Sequence, residues 1–178
     1  MAKNRGAKYG FTSRLLHWIL AICMLGMAWL GWWMVGLDYY HAWSTRALEL
    51  HRSIGMAVLA LAAVFLIRKF SSASPALQTE LRPWERAAAR ATHILLMCAM
   101  IVIPVSGYLL STSSGSGFEI FGLWKVPAVA AVSEPVRNLA EAVHYFASYG
   151  LLALVAIHAG AALKHQFIDG HGTLNRML

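Results

Sequence analysis

Residues 142–163 read AVHYFASYGLLALVAIHAGAAL, an apolar run that contains two histidines, His144 and His158. Their spacing of fourteen residues is almost four turns of an α-helix. At about 100° and 1.5 Å per residue, the two imidazoles lie about 40° apart on one face and about 21 Å apart along the axis. The hydrocarbon core of a bilayer is about 30 Å thick. A spanning helix here therefore carries one histidine near each membrane surface, and ionisable residues inside spans are costly enough to indicate function.

The composition of the whole chain favours a membrane protein. Its 178 residues are 58% hydrophobic and 13% charged, whereas a soluble domain carries about 25% charged residues. Each of four apolar stretches has close to the ~20 residues that a spanning helix needs. They cover residues 15–37, 48–67, 91–110 and 142–163. The sequence therefore predicts an all-α, four-helix transmembrane bundle in a single domain, residues 1–178.

The basic residues predict the orientation of this bundle. Eleven of the fifteen lysines and arginines fall at the end where the first span begins. The other four are Arg46, Arg52, Lys125 and Arg137. Because cytoplasmic loops carry the excess of lysine and arginine, both termini are expected in the cytoplasm. The first span is expected to remain as a membrane anchor rather than a cleaved signal. Anionic lipid explains the net charge of +7, and no nucleic-acid partner is expected.

Four histidines fall into two pairs by depth. His17 and His158 belong near the cytoplasmic surface, and His51 and His144 near the opposite one. Histidine is a standard axial ligand of haem iron, so this pattern predicts two bis-histidine haems, one above the other. No Cys-x-x-Cys-His attachment motif occurs, so both are expected to be non-covalent haem b. Seven of the eight residues one turn from these histidines are small, which leaves room for a porphyrin.

Other interpretations of the roles of the histidines remain open. All four could simply hydrogen-bond between helices. His93 could replace His17 or His158 as a ligand, although a contact to another helix or to a haem propionate is preferred. His165 lies on the His158 face about 10 Å nearer the cytoplasm, and it is either a quinone or proton contact or a solvated side chain. Solvated side chains are expected for His41 and His171.

The connection between the third and fourth spans, residues 111–141, is expected outside the cytoplasm. Ser133, Glu134 and Pro135 resemble a helix start with proline in the first turn. We expect a short surface helix from this point that continues into the fourth span.

Several segments together resemble the bacterial cytochrome b-561 family. They are SRLLHW at 13–18, LHRSIG at 50–55, His93 followed by PVSG at 104–107, and the His144–His158 spacing followed by His165. Members of this family are four-span, dihaem, quinone-linked cytochromes of the bacterial inner membrane. The resemblance implies ligands on the first, second and fourth spans, and these correspond here to His17, His51, His144 and His158.

The resemblance also implies an activity, because family members oxidise periplasmic superoxide and pass the electrons to ubiquinone. No catalytic residue is identified. Arg46, Arg52, Lys125 and Arg137 are candidates for attracting the superoxide anion, or equally for anchoring haem propionates or lipid. His165, with Lys164 or Arg14 nearby, is the candidate for the quinone and its protons. The expected partners are membrane lipid, ubiquinone and superoxide.

Two alternative functions remain. The chain resembles cytochrome b subunits that transfer electrons for a periplasmic dehydrogenase or hydrogenase. Those subunits need a partner, but the short outer loops offer little docking surface, so no partner subunit is expected to be required. A haem-free membrane anchor or transporter with buried histidines is the third interpretation.

Overall fold

Four long helices dominate the computed structural model, which describes residues 8–71 and 81–178. They are α1 (Phe11–Val35), α2 (Ser44–Ser71), α3 (Pro83–Ser111) and α4 (Glu134–Leu163). All four are long and apolar enough to cross a membrane, so the predicted four-span helical bundle is confirmed. A π-helical turn, Lys164–Ile168, extends α4, and a single 3-10 turn, Leu174–Arg176, follows it.

Helices α2, α3 and α4 extend beyond the apolar stretches from which they were predicted, whereas α1 begins four residues earlier than expected and ends at Val35 instead of residue 37. In α3 the extension begins at Pro83, and the Arg82 backbone N–H donates to a Glu85 carboxylate oxygen at 3.0 Å. In α4 it begins at Glu134 with Pro135 in the first turn, where the missing proline N–H costs nothing. The expected surface helix after Ser133 is therefore the first part of α4, continuous with the fourth span.

We call the end of the bundle where α1 begins the inner end, and the opposite one the outer end. The described chain ends meet at the inner end. The Trp18 indole N–H donates to the Met177 carbonyl at 2.9 Å, and the Tyr9 N–H donates to the Arg176 carbonyl at 3.1 Å. Lys3 and Arg5, which contribute to the charge asymmetry, lie outside the described residues. The cytoplasmic location of the inner end stays a prediction.

Consecutive helices pack side by side, α1 on α2, α2 on α3 and α3 on α4. A buried apolar cluster of Leu20, Val58, Ala62 and Met100 joins the first three helices at mid-height. The outward faces carry large exposed apolar side chains such as Ile22 and Ile157, as expected for surfaces that contact lipid rather than water. The cluster forms an apolar layer between the inner and outer histidines.

A small β-hairpin in the connection between α3 and α4 was not predicted. Its strands are Phe118–Ile120 and Trp124–Val126, paired antiparallel. Phe121 and Gly122 at the turn have φ of 52° and 67°, a left-handed conformation that glycine tolerates best. The Phe121 N–H donates to the buried Ser53 hydroxyl at 2.9 Å. This bond fastens the hairpin to α2, two residues from His51.

Candidate functional site

The two outer histidines face one another from α2 and α4. The ring centroids of His51 and His144 are 6.1 Å apart. Each ring rests against a glycine of another helix. A Cβ placed on Gly31 would lie 3.1 Å from Cε1 of His51, and one placed on Gly107 would lie 2.9 Å from Cε1 of His144. Any larger residue at these two positions would push the rings away from their present positions.

His144 is also oriented by hydrogen bonds. Its Nδ1 lies 2.9 Å from the Ile103 carbonyl oxygen and 3.3 Å from the Ser106 hydroxyl. With the proton on Nδ1, the ring donates to the Ile103 carbonyl and leaves Nε2 as a free lone pair. A backbone carbonyl behind a ligating histidine is the usual arrangement at metal sites, because it fixes both tautomer and ring orientation.

Three histidines meet at the inner level. The centroids of His17 and His158 are 6.3 Å apart, and those of His93 and His158 are 5.2 Å apart. A metal–imidazole nitrogen bond of about 2 Å on each side places two ring centroids about 6 Å apart. The His17–His158 pair has this spacing, and the His93–His158 pair is closer. The geometry thus favours His17 over His93 as the inner partner of His158.

The residues at both levels fit a haem iron. Within the described chain, the buried Nδ1 atoms of His17 and His51 have no hydrogen-bond partner, so these rings retain unused binding capacity. The pairs at 6.1 and 6.3 Å leave space for one iron each. Gly107 and Gly31 further limit steric crowding at the outer level. The four ligands stay predictions that this geometry supports.

The four basic residues that are candidates for attracting superoxide, or for anchoring haem propionates or lipid, have different surroundings at the outer end. Arg52 is half-buried, and its guanidinium lies 5.8 Å from the centre of the Phe118 ring of the hairpin. Its Nε is buried and has no hydrogen-bond partner in the described part of the chain. Lys125 lies opposite Glu119 in the hairpin, which partly offsets its charge. Arg46 and Arg137 are exposed at the outer end.

A polar cluster lies at the inner end beside His165. The Lys164 ammonium is 2.8 Å from both a Glu85 and an Asp169 carboxylate oxygen, and His165 Nδ1 is 2.6 Å from the same Asp169 oxygen. Hydrogen bonds from Lys164 and His165 hold the pKa of Asp169 below its usual value. Lys164 and His165 therefore share one Asp169 oxygen, and their role with a quinone stays a prediction. Arg14 instead donates to the Leu178 carbonyl.

His171 corrects one expectation. It is not simply solvated, because its ring stacks on His165 with centroids 5.7 Å apart and planes at 15°. Gly170 and Gly172 have φ of 71° and 68° and turn the chain back at this point. Those two glycines were the signal in the sequence that could have indicated the contact. His41 is exposed, as expected.

Comparison with known proteins agrees with these observations. The prokaryotic cytochrome b561 family matches residues 8–178. The chain is 38% identical over 175 residues to "Cytochrome b561 homolog 2" of Escherichia coli (strain K12), covering 98% of this chain and 93% of that protein. It is 31% identical over 176 residues to "Cytochrome b561 homolog 1" of the same organism, covering 96% and 97%.

A more distant similarity connects the chain to "Probable superoxide oxidase CybB" of Yersinia pestis. The two are 23% identical over 173 residues, which is 96% of each chain. Helices of spanning length, histidines suited to haem and a family match over nearly the whole sequence all agree. The chain therefore belongs to the prokaryotic cytochrome b561 family, as a multi-pass electron-transfer protein of the inner membrane that carries b-type haem.

Proposed function

We propose that this cytochrome oxidises superoxide at the outer end of the bundle and reduces ubiquinone at the inner end. Two superoxide anions each give up one electron and leave as dioxygen, and one ubiquinone takes up two electrons and two protons. The observation that carries the proposal is the presence of two histidine pairs, at 6.1 and 6.3 Å, on opposite sides of an apolar layer. The inner end then faces the cytoplasm and the outer end the periplasm, as the basic residues predict.

Two haem b groups would be held by these pairs, the inner one by His17 and His158 and the outer one by His51 and His144. Each haem supplies a one-electron redox centre when bound. Ile103 orients His144 through its carbonyl, and Gly107 provides the space for the His144 ring. The half-buried guanidinium of Arg52, whose Nε has no hydrogen-bond partner among residues 8–71 and 81–178, has the charge and position to hold a carboxylate beside the outer pair.

Superoxide reaches the outer end as a small anion. The exposed side chains of Arg46 and Arg137 add positive charge there, which raises the encounter rate of an anion with the site. The similarity to a probable superoxide oxidase also supports superoxide as the electron donor. No acid–base chemistry is required of these residues, because the oxidation of superoxide to dioxygen transfers an electron and no proton.

Ubiquinone requires protons as well as electrons. His165 lies seven residues beyond His158, in the π-helical turn that extends α4 at the inner end. Seven residues are almost two α-helical turns, so we expect the two imidazoles to lie on the same side. Its imidazole is held by Asp169 through Nδ1 at 2.6 Å, so Nε2 is the atom that would contact a quinone carbonyl. Imidazole can both donate and accept a proton, which suits a contact that supplies protons to the quinone as it is reduced.

The test uses purified, haem-loaded protein in detergent with an enzymatic source of superoxide. Absorbance follows haem reduction, and a parallel sample with added ubiquinone follows quinol formation. The Arg46→Gln/Arg137→Gln double variant removes two outer charges, and Arg68→Gln/Arg90→Gln is the matched control at the inner end. At about 10 Å in water each charge contributes about 0.4 kcal/mol, so the outer variant should slow haem reduction about fourfold at low salt.

This difference should largely disappear at about 0.15 M salt, where the screening length is about 8 Å. The control variant should reduce at the wild-type rate at every salt concentration. Failure of superoxide to reduce the wild-type haems would refute the proposed donor. That result would favour the second candidate, an electron-transfer subunit that receives electrons from a protein partner.

A further inference from the structure

The chain that follows α4 folds back and brings two histidines together. The π-helical turn Lys164–Ile168 extends α4, and π-turns are frequent at functional sites. Gly170 and Gly172 on either side of His171 both adopt positive φ. The His171 N–H donates to the His165 carbonyl at 2.8 Å. The local backbone thus fixes His171 beside His165, where the two imidazoles stack.

These imidazoles and the Asp169 carboxylate form a compact set of donors. The ligating atoms of His165, Asp169 and His171 all lie within 4.8 Å of one another. All three side chains are half-buried rather than enclosed, so part of each remains open to an ion from outside the bundle. Two imidazoles and one carboxylate are a donor set that suits first-row transition metals, zinc included.

A lysine competes for the same carboxylate. The Lys164 ammonium lies 2.8 Å from the Asp169 oxygen and 2.8 Å from Glu85. A cation that binds this Asp169 oxygen must displace the ammonium, which keeps Glu85 as its partner. Glu85 is buried at the start of α3 and fixed there by the Arg82 N–H. The Lys164 ammonium would therefore keep its ionic contact with Glu85 after it loses the contact with Asp169.

We propose that His165, Asp169 and His171 bind one divalent transition-metal ion at the inner end of the bundle, with zinc as the representative ion. The ion is coordinated by two imidazole nitrogens and a carboxylate oxygen, and solvent completes its shell. This site is separate from the haem-level histidines and requires neither superoxide nor quinone. One consequence rests on the proposed function: an ion on His165 removes this imidazole from the quinone, so bound zinc slows quinol formation.

The experiment measures zinc binding to the haem-loaded protein, purified without a histidine tag and without added quinone. Competition with a fluorescent zinc chelator gives the affinity, and elemental analysis after dialysis gives the stoichiometry. We expect one zinc ion per chain beyond the haem iron. His171→Ala and Asp169→Asn should each weaken binding by at least about tenfold. His41→Ala, which removes an exposed histidine at the outer end, is the matched control and should leave the affinity unchanged.

Lys164→Met provides the second, opposite test. Removing the competing ammonium should strengthen zinc binding by about two- to fivefold, the range expected for loss of one partly exposed ion pair. Haem absorbance confirms that every variant is folded. Zinc binding that is absent, or that is unaffected by His171→Ala and Asp169→Asn, would overturn the proposal whatever the outcome of the superoxide assay. Zinc binding without an effect on quinol formation would instead refute only the role of His165 with the quinone.

Discussion

Replacing Gly107 by alanine tests the outer histidine pair without touching a histidine. The new Cβ would lie 2.9 Å from Cε1 and 3.1 Å from Nδ1 of His144. Ordinary carbon–carbon contacts lie at about 3.5–4.0 Å, so the ring must retreat from α3 by about 0.6 Å or more. The hydrogen bond from Nδ1 to the Ile103 carbonyl, now 2.9 Å, would then exceed the ordinary range of about 2.7–3.2 Å.

The expected cost to the affinity for the outer haem is the sum of two effects. Loss of the hydrogen bond costs about 1 kcal/mol, and overpacking costs about 1–3 kcal/mol. The higher helix propensity of alanine acts equally with and without haem, so it cancels. The penalty of about 2–4 kcal/mol corresponds to a loss of roughly 30- to 900-fold in affinity. It should fall on the outer haem alone.

The assay follows transfer of haem from the detergent-purified protein to an excess of a haem-free acceptor globin. One of two haems should leave Gly107→Ala faster than it leaves the wild type. The matched control is Gly150→Ala on α4, since a Cβ there meets nothing within 4 Å. A Gly107→Ala protein that keeps both haems at wild-type rates, with unchanged midpoint potentials, would show that His144 does not ligate haem.

The remaining predictions concern individual histidines. His144→Ala should remove the outer haem and keep the inner one, and His158→Ala should do the reverse, as measured by haem content and reduced-minus-oxidised spectra. His93→Ala should leave both spectra largely intact, because its ring is closer to His158 than a shared iron would allow. Loss of a haem in that variant would contradict the choice of His17. His165→Ala should slow quinol formation while superoxide still reduces both haems in stopped-flow measurements, and unchanged quinol formation would place the quinone elsewhere.

Helical periodicity accounts for what the sequence predicted well. His144 and His158 lie on one rigid helix, so their spacing alone predicts two levels. Hydropathy predicts the spans, and the alternating direction of the chain then assigns His17 and His51 to their levels. The helix ends are less predictable. Polar residues such as Glu85 and Glu134 belong to α3 and α4, but apolar runs alone do not include them.

The contacts that were missed depend on tertiary structure or on unusual backbone. The strands Phe118–Ile120 and Trp124–Val126 have three residues each, which is too short for an alternating pattern to be recognised. The ion pair between Glu85 and Lys164 joins residues 79 apart in sequence, and no local signal predicts it. The PVSG segment resembles the family. Its contacts with His144 depend on the packing of α3 against α4, which the local sequence does not predict.

The uneven packing of the four helices has a consequence for biogenesis. Each helix packs on the next along the chain, but α1 and α4 touch only sparsely, and His17 and His158 approach one another across that seam. A newly inserted chain can therefore assemble its consecutive helices while the seam stays open to the bilayer. We therefore expect haem to enter sideways from lipid through this seam, between His17 and His158. A chain that has not bound its cofactor is expected to keep the seam, and the histidines beside it, open to the bilayer.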